Sequence, residues 1–352
     1  MAGIKDVARK ANVSIATVSR VISKPETVAA ETIKKVTEVI EELNYQPNAA
    51  ARQLRMSETK TILVVVPDIT NTFFSRVLSG IESVAMKNEY QVLLGNAASH
   101  VVDFENGYLN ALRQRKADGM ILLTAGIESS AVDEIAREYP LVLACEYIEG
   151  LSVPTVSIDN VSGARKATEY LIELGHERIG MISGPMNSVL GRDRIKGFYQ
   201  AMARNQLEVN PVLVQEGDFS YESGYNLMEK LLALKHGPTA IFAANDEMAF
   251  GIINAIESKG LRVPDDISVI GFDDIKFSSI FKPGLSTISQ PAFQIGTKAM
   301  ELLIRLLKRK EIRKTQYLLE SQLVLRDSCC PLFLSVRCKP LQSQSNVRTK
   351  NL

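Results

Sequence analysis

The sequence predicts an all-α helix-turn-helix domain at the N-terminus, followed by an α/β core of two doubly wound lobes. Apolar residues before Thr61 recur at helical spacing, whereas short apolar runs alternate with helix-length segments from Thr61 onward. This alternation runs through two successive series, and apolar strands separated by helices indicate parallel sheets covered on both faces. A chain of 352 residues is also too long for one ordinary core, so more than one domain is expected.

The composition excludes several classes of protein. Apolar residues make up 45% and charged residues 23% of the chain, which is typical of a soluble globular protein. No apolar run reaches the roughly 18 residues of a membrane span, and the polar start Met1–Asp6 is unlike a secretory signal. The cysteines are clustered near the C-terminus in a way that does not suggest a disulfide framework: Cys145, Cys329, Cys330 and Cys338. We therefore expect a cytoplasmic protein with no membrane partner.

The charge of the chain is unevenly distributed. Its net charge is only +1, but residues 1–25 hold five basic side chains against the single acidic Asp6. The five basic residues are Lys5, Arg9, Lys10, Arg20 and Lys24. A basic N-terminal module favours nucleic acid as a partner, although a solvated basic face explains the charge equally well.

The N-terminal segment predicts two short helices joined by a tight turn. A first amphipathic helix is indicated by apolar residues at i, i+3, i+4 and i+7: Ile4, Val7, Ala8 and Ala11. Asn12 suits a left-handed turn, and Ser14 can cap a second helix from Ile15 to about Ser23. A third helix follows, with Ile33, Val36, Val39, Ile40 and Leu43 on one face. This arrangement has the size of a helix-turn-helix.

The second helix carries the candidate base-reading residues. In a helix-turn-helix the first residues of this helix enter the major groove of double-stranded DNA. Arg20 can form a bidentate pair with guanine, and Ile15 and Ala16 can touch thymine methyl groups. Ser14, Thr17 and Ser19 carry short hydroxyls suited to phosphates. The alternatives are that Ile15 belongs to the core and that Arg20 is merely solvated.

A short helical segment, residues 48–55, follows Pro47. Eight residues are too few for a stable isolated helix, so the segment can become ordered on binding a partner. Leu54 would then be an apolar wedge for a minor-groove step, with neighbouring arginines at the phosphates. Leu54 packed against the third helix is the alternative. The candidate DNA-binding residues here are Asn48, Ala51, Arg52, Leu54 and Arg55.

The core shows strand-like runs in two series. The first series comprises residues 62–66, 92–94, 120–123 and 141–144, and the second comprises 179–182, 212–214, 240–243 and 267–270. Ligands of such sheets bind beyond the carboxyl ends of the strands. A cleft between the lobes is therefore the expected ligand site.

These motifs resemble the lactose/galactose repressor (LacI/GalR) family over residues 4 to about 326. The head motifs are Ile4-Lys5-Asp6-Val7-Ala8, Val13-Ser14, Thr17-Val18-Ser19-Arg20-Val21 and Tyr45-x-Pro47-Asn48-x-x-Ala51-Arg52-x-Leu54. The core motifs are Asp118-Gly119, Gly175-His176, Gly184-Pro185, Val263-Pro264-Asp265-Asp266 and Gly271-Phe272-Asp273. Within the family, the purine, cytidine and ribose repressors look most similar.

The resemblance implies a transcriptional repressor that acts as a homodimer on a pseudopalindromic operator and responds to a small-molecule effector. It also implies a periplasmic-binding-protein-like core whose two lobes are joined by three crossovers. We therefore expect a DNA-binding domain at 1–47, a hinge helix and linker at 48–60 and an effector core at 61–328. Lobe one would comprise about 61–159 and 290–318, and lobe two about 160–288 and 319–328. Residues 329–352 match no family pattern and are expected to be a disordered tail, although their cysteines leave metal binding open.

Candidate effector-binding residues lie at predicted strand ends. A polyhydroxylated ligand needs aromatic faces and planar side chains that bond two hydroxyls at once. By resemblance, the set is Asn71, Phe73, Phe74, Tyr147, Arg194, Phe219, Asn245, Asp273 and Gln290. One of Phe73 and Phe74 is expected to lie in the core, and a role for Phe219 stays open. A sugar is the first expectation for the effector, and a nucleoside or purine the second.

Enzyme and transport functions are not supported by the sequence. No G-x-G-x-x-G, G-x-x-x-x-G-K-[ST], G-x-S-x-G or H-E-x-x-H motif occurs, and His100, His176 and His236 are isolated. We therefore expect no catalytic residues, no metal and no cofactor other than the effector. A sugar-binding protein without a regulatory role would need a secretion signal in place of the DNA-binding head. The sequence leaves open whether the effector releases DNA or promotes its binding.

Overall fold

The computed structural model describes residues 2–45, 58–97, 108–123 and 126–332. The chain forms two compact units, Met1–Thr59 and Lys60–Leu352. No helix in the described ranges is both long and apolar enough to cross a membrane.

In its described residues, 2–45 and 58–59, the first unit contains three α-helices around a small apolar core. They are α1 (Ile4–Lys10), α2 (Ile15–Ser23) and α3 (Ala30–Glu42). The α1–α2 turn contains Asn12 at φ +51°, and the Ser14 side chain accepts a hydrogen bond from the Thr17 amide. The core residues are Val7, Ala8, Ala11, Val18, Val21, Val36 and Val39. The predicted helix-turn-helix is therefore present, with its turn and cap formed by the expected residues.

The second unit contains two six-stranded sheets. The first has the order β11-β5-β4-β3-β1-β2 and defines lobe one, and the second has the order β12-β10-β9-β8-β6-β7 and defines lobe two. The strands of lobe one are β1 (Thr61–Val66), β2 (Gln91–Asn96), β3 (Gly119–Leu122), β4 (Leu141–Ala144), β5 (Thr155–Ile158) and β11 (Gln316–Leu319). Those of lobe two are β6 (Ile179–Ser183), β7 (Val214–Glu216), β8 (Ala240–Ala243), β9 (Ser268–Asp273), β10 (Ser286–Ser289) and β12 (Gln322–Val324). Their pairing is parallel except for β10 with β12.

Helices cover both sheets. They are α4 (Thr72–Lys87), α5 (Asn110–Arg113), α6 (Ser129–Glu138), α7 (Asn160–Glu173), α8 (Val189–Arg204), α9 (Tyr221–Leu232), α10 (Asp246–Ser258) and α11 (Ala292–Leu307). The central strands are buried on both faces, which explains their unbroken apolar runs. The predicted α/β fold class is thus confirmed.

The chain crosses between the lobes three times, at places that lie side by side. It passes from β5 to α7, from β10 to α11 and from β11 to β12. Leu319 pairs with Ile158, and Ser289 pairs with Gln322, so the strands entering and leaving these crossovers are neighbours. Residues 290–318 return to lobe one and contribute β11 to its sheet.

Close packing fixes α4 against α11 in lobe one. A Cβ atom at Gly80 would lie 2.2 Å from the Phe293 carbonyl oxygen, and one at Gly296 would lie 2.0 Å from that of Val77. Only glycine permits this approach of the two backbones. The contact holds the first turn of α4, where Asn71, Phe73 and Phe74 are found, at the end of β1.

Two details differ from the expectations. Residues 212–214 were expected to form a strand, but Pro211–Leu213 form a 3₁₀ turn and β7 begins at Val214. Pro211 favours the first turn of a helix, and the Asn210 side chain caps it by accepting from the Val212 amide. A disordered tail was also expected from residue 329 onward. Cys329 and Cys330 instead form hydrogen bonds with Val269 and Ser268 of β9. Residues 333–352 lie outside the described part of the chain.

Candidate functional site

A cleft of about 260 Å³ lies among the loops that follow the strands of both sheets. From the predicted effector-binding set it is lined by Asn71, Phe73, Phe74, Arg194, Phe219, Asn245, Asp273 and Gln290. The fold therefore brings these residues together as expected. That they bind an effector stays a prediction.

The centre of the cleft is a buried ion pair in lobe two. Arg194 on α8 is 2% exposed, and its Nη2 atom lies 3.4 Å from Oδ1 of Asp273, the last residue of β9. Arg194 also donates from Nε to Oδ1 of Asn160 and from Nη1 to the Ala244 carbonyl. Its guanidinium carbon lies 3.8 Å from the centre of the Phe272 ring. These contacts hold the guanidinium in one orientation.

Burial shifts the pKa values of both partners. It lowers the pKa of Arg194 from its usual value, although the charge of Asp273 opposes the shift. It raises the pKa of Asp273 to about 6, against the opposing effects of Arg194 and Gln290. Gln290 donates from Nε2 to Oδ1 of Asp273 over 2.7 Å, so the crossover after β10 is bonded directly to the site.

Asn245 and Phe219 form the next part of the cleft wall. Asn245 caps α10 by accepting from the Met248 amide, and its Nδ2 donates to the Phe219 carbonyl over 2.9 Å. The Phe219 ring rests against Gly184, where a Cβ atom would lie 2.0 Å from the ring. Gly184 therefore provides the space that the aromatic ring occupies.

Backbone strain marks the same region. Cys145, Phe219 and Asp273 are non-glycine residues that line the cleft, with φ values of +70°, +71° and +117°. Such conformations cost about 1–3 kcal/mol each and cluster at binding sites. For Cys145 and Phe219 the sequence offers no signal, because neither residue type favours a positive φ.

Asp246 is a buried carboxylate whose role the sequence did not indicate. Asp246 is the first residue of α10, and the preceding Asn245 caps this helix. Its carboxylate accepts from the Ile275 amide and from the hydroxyls of Ser278 and Thr287, at 2.9, 2.6 and 2.6 Å. Burial, and next the charge of Asp273, raise its pKa to about 7. Asp246 thus positions the loop that follows Asp273.

Lobe one contributes an aromatic pair beside polar side chains. Asn71 caps α4 by accepting from the Phe73 amide over 2.9 Å. Phe73 is 6% exposed within the lobe-one core and Phe74 is half-buried, with ring centres 5.3 Å apart in an edge-to-face arrangement. Of the two rings, Phe73 is the core residue that the sequence led us to expect.

Tyr147 is the predicted site residue that does not line the cleft. The chain reverses at Cys145 after β4, and Tyr147 then reaches across to lobe two, where its hydroxyl donates to Asp193 Oδ2 over 3.1 Å. Partial burial and the neighbouring Asp193 raise the pKa of Tyr147 to about 12. Tyr147 thus bridges the two lobes at the rim of the cleft, and its role in effector binding stays a prediction.

The second helix of the head presents its predicted residues at the surface. Ile15 is 42% exposed, Ser14, Ala16 and Arg20 are exposed, and Thr17 and Ser19 are half-buried. Val18 and Val21 face the core instead, so the other side of α2 carries the candidate base contacts. The remaining candidates, Asn48, Ala51, Arg52, Leu54 and Arg55, lie outside the described residues.

His176 and Cys330, which the sequence singled out, have structural partners. His176 is buried, and its ring nitrogens bond to the hydroxyls of Thr239 and Ser268 and to the Cys330 carbonyl. The Cys330 thiol donates to the Pro264 carbonyl. Within the described ranges, no group of three or more His, Cys, Asp or Glu side chains can hold a metal ion.

Known proteins resemble the chain along most of its length. The family model of bacterial regulatory proteins, lacI family, matches residues 3–48, and a periplasmic binding protein-like domain matches residues 168–329. The HTH-type transcriptional repressor CytR of Escherichia coli (strain K12) is 39% identical over 328 residues, covering 93% of this chain and 96% of that protein.

Two solved structures extend the comparison. The Lac repressor dimer bound to operator and the anti-inducer ONPF has a TM-score of 0.84 and 31% identity, covering 94% of this chain and 99% of that one. A LacI family transcriptional regulator from Enterococcus faecium, solved with bound ribose, has a TM-score of 0.69 and 32% identity, covering 77% and 99%. Fold, head and cleft together define a DNA-binding transcriptional regulator rather than an enzyme. The chain belongs to the lacI family of bacterial regulatory proteins.

Proposed function

We propose that this protein is a cytoplasmic transcriptional repressor that binds a pseudopalindromic operator as a homodimer. The observation that carries the proposal is the presence, in one chain, of an exposed reading face on α2 and a buried Arg194–Asp273 pair at an interlobe cleft. The Lac repressor relative, a dimer on operator DNA, supports the same assembly. Each half-site of the operator would receive one α2 helix.

The regions of the chain have separate tasks in this proposal. Residues 1–47 read the operator, 48–60 form the hinge that carries Leu54 to the minor groove, and the two lobes bind the effector. Asn48, Ala51, Arg52 and Arg55 would contact the DNA backbone beside Leu54.

The effector we propose is a sugar held in the interlobe cleft. Asp273, Asn245 and Arg194 offer carboxylate, amide and guanidinium groups suited to vicinal hydroxyls, and a relative of 32% identity was solved with bound ribose. A nucleoside or purine is the second candidate, since the rings of Phe74 and Phe219 at the cleft also suit a nucleobase face.

Effector binding would alter the closure of the two lobes and thereby the spacing of the paired hinges. Such coupling typically amounts to about 1–3 kcal/mol and is reciprocal, so operator binding must change effector affinity by the same factor. Measuring effector affinity with and without operator gives the sign of regulation.

Arg20→Ala tests the reading helix. We expect a loss of about 1–3 kcal/mol in operator binding, confined to one base pair of each half-site, because a bidentate guanine contact is removed. Binding to single-base variants of the operator measures this, with Lys24→Ala at the C-terminal end of α2 as the control that weakens all variants equally. An unchanged base preference in Arg20→Ala would remove this residue from the reading role.

A further inference from the structure

The cleft is acidic among the residues that line it. Asp68, Glu146, Asp218 and Asp273 contribute four carboxylates, whereas Arg194 contributes one guanidinium. A ligand entering the cleft therefore meets mainly hydrogen-bond acceptors of negative charge.

The one guanidinium is already engaged. Arg194 pairs with Asp273 and donates to the side chain of Asn160 and to the Ala244 carbonyl. A phosphate group that used Arg194 would have to compete with Asp273 while lying against the same carboxylate. That arrangement places like charges together in a poorly hydrated site, at a high cost in free energy.

The helix ends at the cleft are also occupied. First-turn amides are the other usual binding groups for phosphate. Here the helices that begin near the cleft carry their own caps: Asn71 accepts from Phe73, Ser188 from Leu190, Ser220 from Ser223 and Asn245 from Met248. An anion would have to displace these side-chain acceptors.

A further carboxylate lies two positions after the cleft residue Asn245. Glu247 on α10 is half-buried, and its pKa is raised by burial and then by the charges of Asp68, across the cleft in lobe one, and Glu222 on α9. The carboxylates of the two lobes thus repel one another where the lobes approach. An anionic ligand would add to this repulsion, whereas a neutral or cationic one would not.

We propose that the effector carries no phosphate: the cleft selects a neutral or cationic molecule rich in hydroxyl or amino donors, such as a free sugar or a nucleoside. This inference rests on the proposed function and narrows the chemical class of its effector. The cleft offers acceptors and needs donors from its ligand, and a phosphate ester supplies a dianion that only accepts. In the described residues, Oδ2 of Asp273 accepts no hydrogen bond, so it is available to a ligand hydroxyl or amine.

Titration calorimetry of the full chain with matched pairs tests the inference. The pairs are ribose and ribose 5-phosphate, glucose and glucose 6-phosphate, cytidine and cytidine 5′-monophosphate, and adenosine and adenosine 5′-monophosphate. We expect the unphosphorylated member of the binding pair to bind at least about a hundredfold more tightly, since like charges in a desolvated site oppose the ester. Glu146→Gln should narrow that ratio at least severalfold, and Glu138→Gln, an exposed residue of α6 outside the cleft, should leave it unchanged.

The outcomes distinguish a failure of this inference from a failure of the proposed effector site. A phosphate ester that binds as tightly as its partner and changes operator affinity would overturn the inference and leave the repressor function standing. If no member of any pair binds or changes operator affinity, the assignment of the cleft as an effector site fails, and the inference fails with it.

Discussion

The two lobes contribute different kinds of side chain to the same cleft. Lobe two provides polar groups that are almost fully buried and bonded to fixed partners, with Arg194 2%, Asn245 2% and Asp273 8% exposed. Lobe one provides the aromatic pair Phe73 and Phe74, which touch edge to face. In lobe two these contacts set the orientation of each group, so a ligand bound there would cost little ordering entropy.

The difference between the lobes indicates that ligand recognition and lobe closure depend on different residues. In the proposed function, lobe two would hold the groups that distinguish one ligand from another, and its geometry depends on the buried Arg194–Asp273 pair. Lobe one supplies the rings of Phe73 and Phe74, the carboxylates of Asp68 and Glu146, and the Tyr147 contact at the rim, whose geometry depends on the position of the lobe. Changes in lobe two should therefore affect stability and binding together, whereas changes at the rim of lobe one should affect binding alone.

The largest expected effect follows from Arg194→Met. Removal of the guanidinium leaves Asp273 buried without its partner, so we expect the free energy of unfolding to fall by about 3–5 kcal/mol and effector binding to be lost. Urea unfolding of the full chain measures the first effect. Arg192→Met is the matched control, since its side chain is 42% exposed on the same helix and should cost less than about 0.5 kcal/mol. Equal losses in the two variants would contradict a preorganised lobe two.

Asp246→Asn tests whether a buried carboxylate of lobe two makes the stability of the protein depend on pH. The folded pKa of Asp246, about 7, exceeds the unfolded value of about 3.9. Between these values the folded protein holds a proton that the unfolded chain has released, so the stability of the wild type falls as pH rises and levels off above about 7. Relative to Asp246→Asn, we expect the wild type to lose on the order of 2 kcal/mol between pH 5 and pH 7. The control is Asp133→Asn in lobe one, where the side chain is 40% exposed, and its free energy of unfolding should follow that of the wild type at every pH. If the wild type and both variants lost stability in parallel between pH 5 and pH 7, burial of Asp246 would not be the cause.

The smallest expected effect concerns the rim. Tyr147→Phe removes the hydrogen bond to Asp193, which holds the lobes together, and should weaken effector binding about fivefold, or roughly 1 kcal/mol. Stability should be unchanged within about 0.5 kcal/mol, because the contact is half-exposed. Calorimetry compares this variant with Tyr199→Phe, an exposed tyrosine on the helix that carries Asp193. Equal affinity in both variants would mean that the rim contact does not contribute to closure.

Local and periodic signals in the sequence predicted part of the fold correctly. The Ser14 cap, the turn at Asn12 and the apolar runs of the central strands all follow from short-range chemistry. The predicted strand ends also identified most of the residues that line the cleft, because parallel strands present their carboxyl ends at one edge of a sheet.

Local signals in the sequence failed where the outcome depended on long-range packing. Asp246 accepts hydrogen bonds from Ser278 and Thr287, which are 32 and 41 positions away, so its neighbours in the sequence indicate only a helix start. The destination of Tyr147 depends on the backbone reversal at Cys145, a residue type that seldom adopts a positive φ. Such conformations are imposed by the surrounding fold and have no signature in composition or spacing.

The three neighbouring crossovers determine how the lobes can move. Two bodies joined by one flexible strand can swivel and twist in any direction, but connections at Ile158, Ser289 and Leu319, set next to each other, leave essentially one axis of rotation. Gln290, next to one of these connections, is bonded to Asp273 in the cleft. In the proposed function, a ligand bonded to Asp273 would therefore act close to this axis, where a small displacement produces a larger shift at the far end of a lobe. The bond between Gln290 and Asp273 therefore links the cleft directly to the segments about which the lobes rotate.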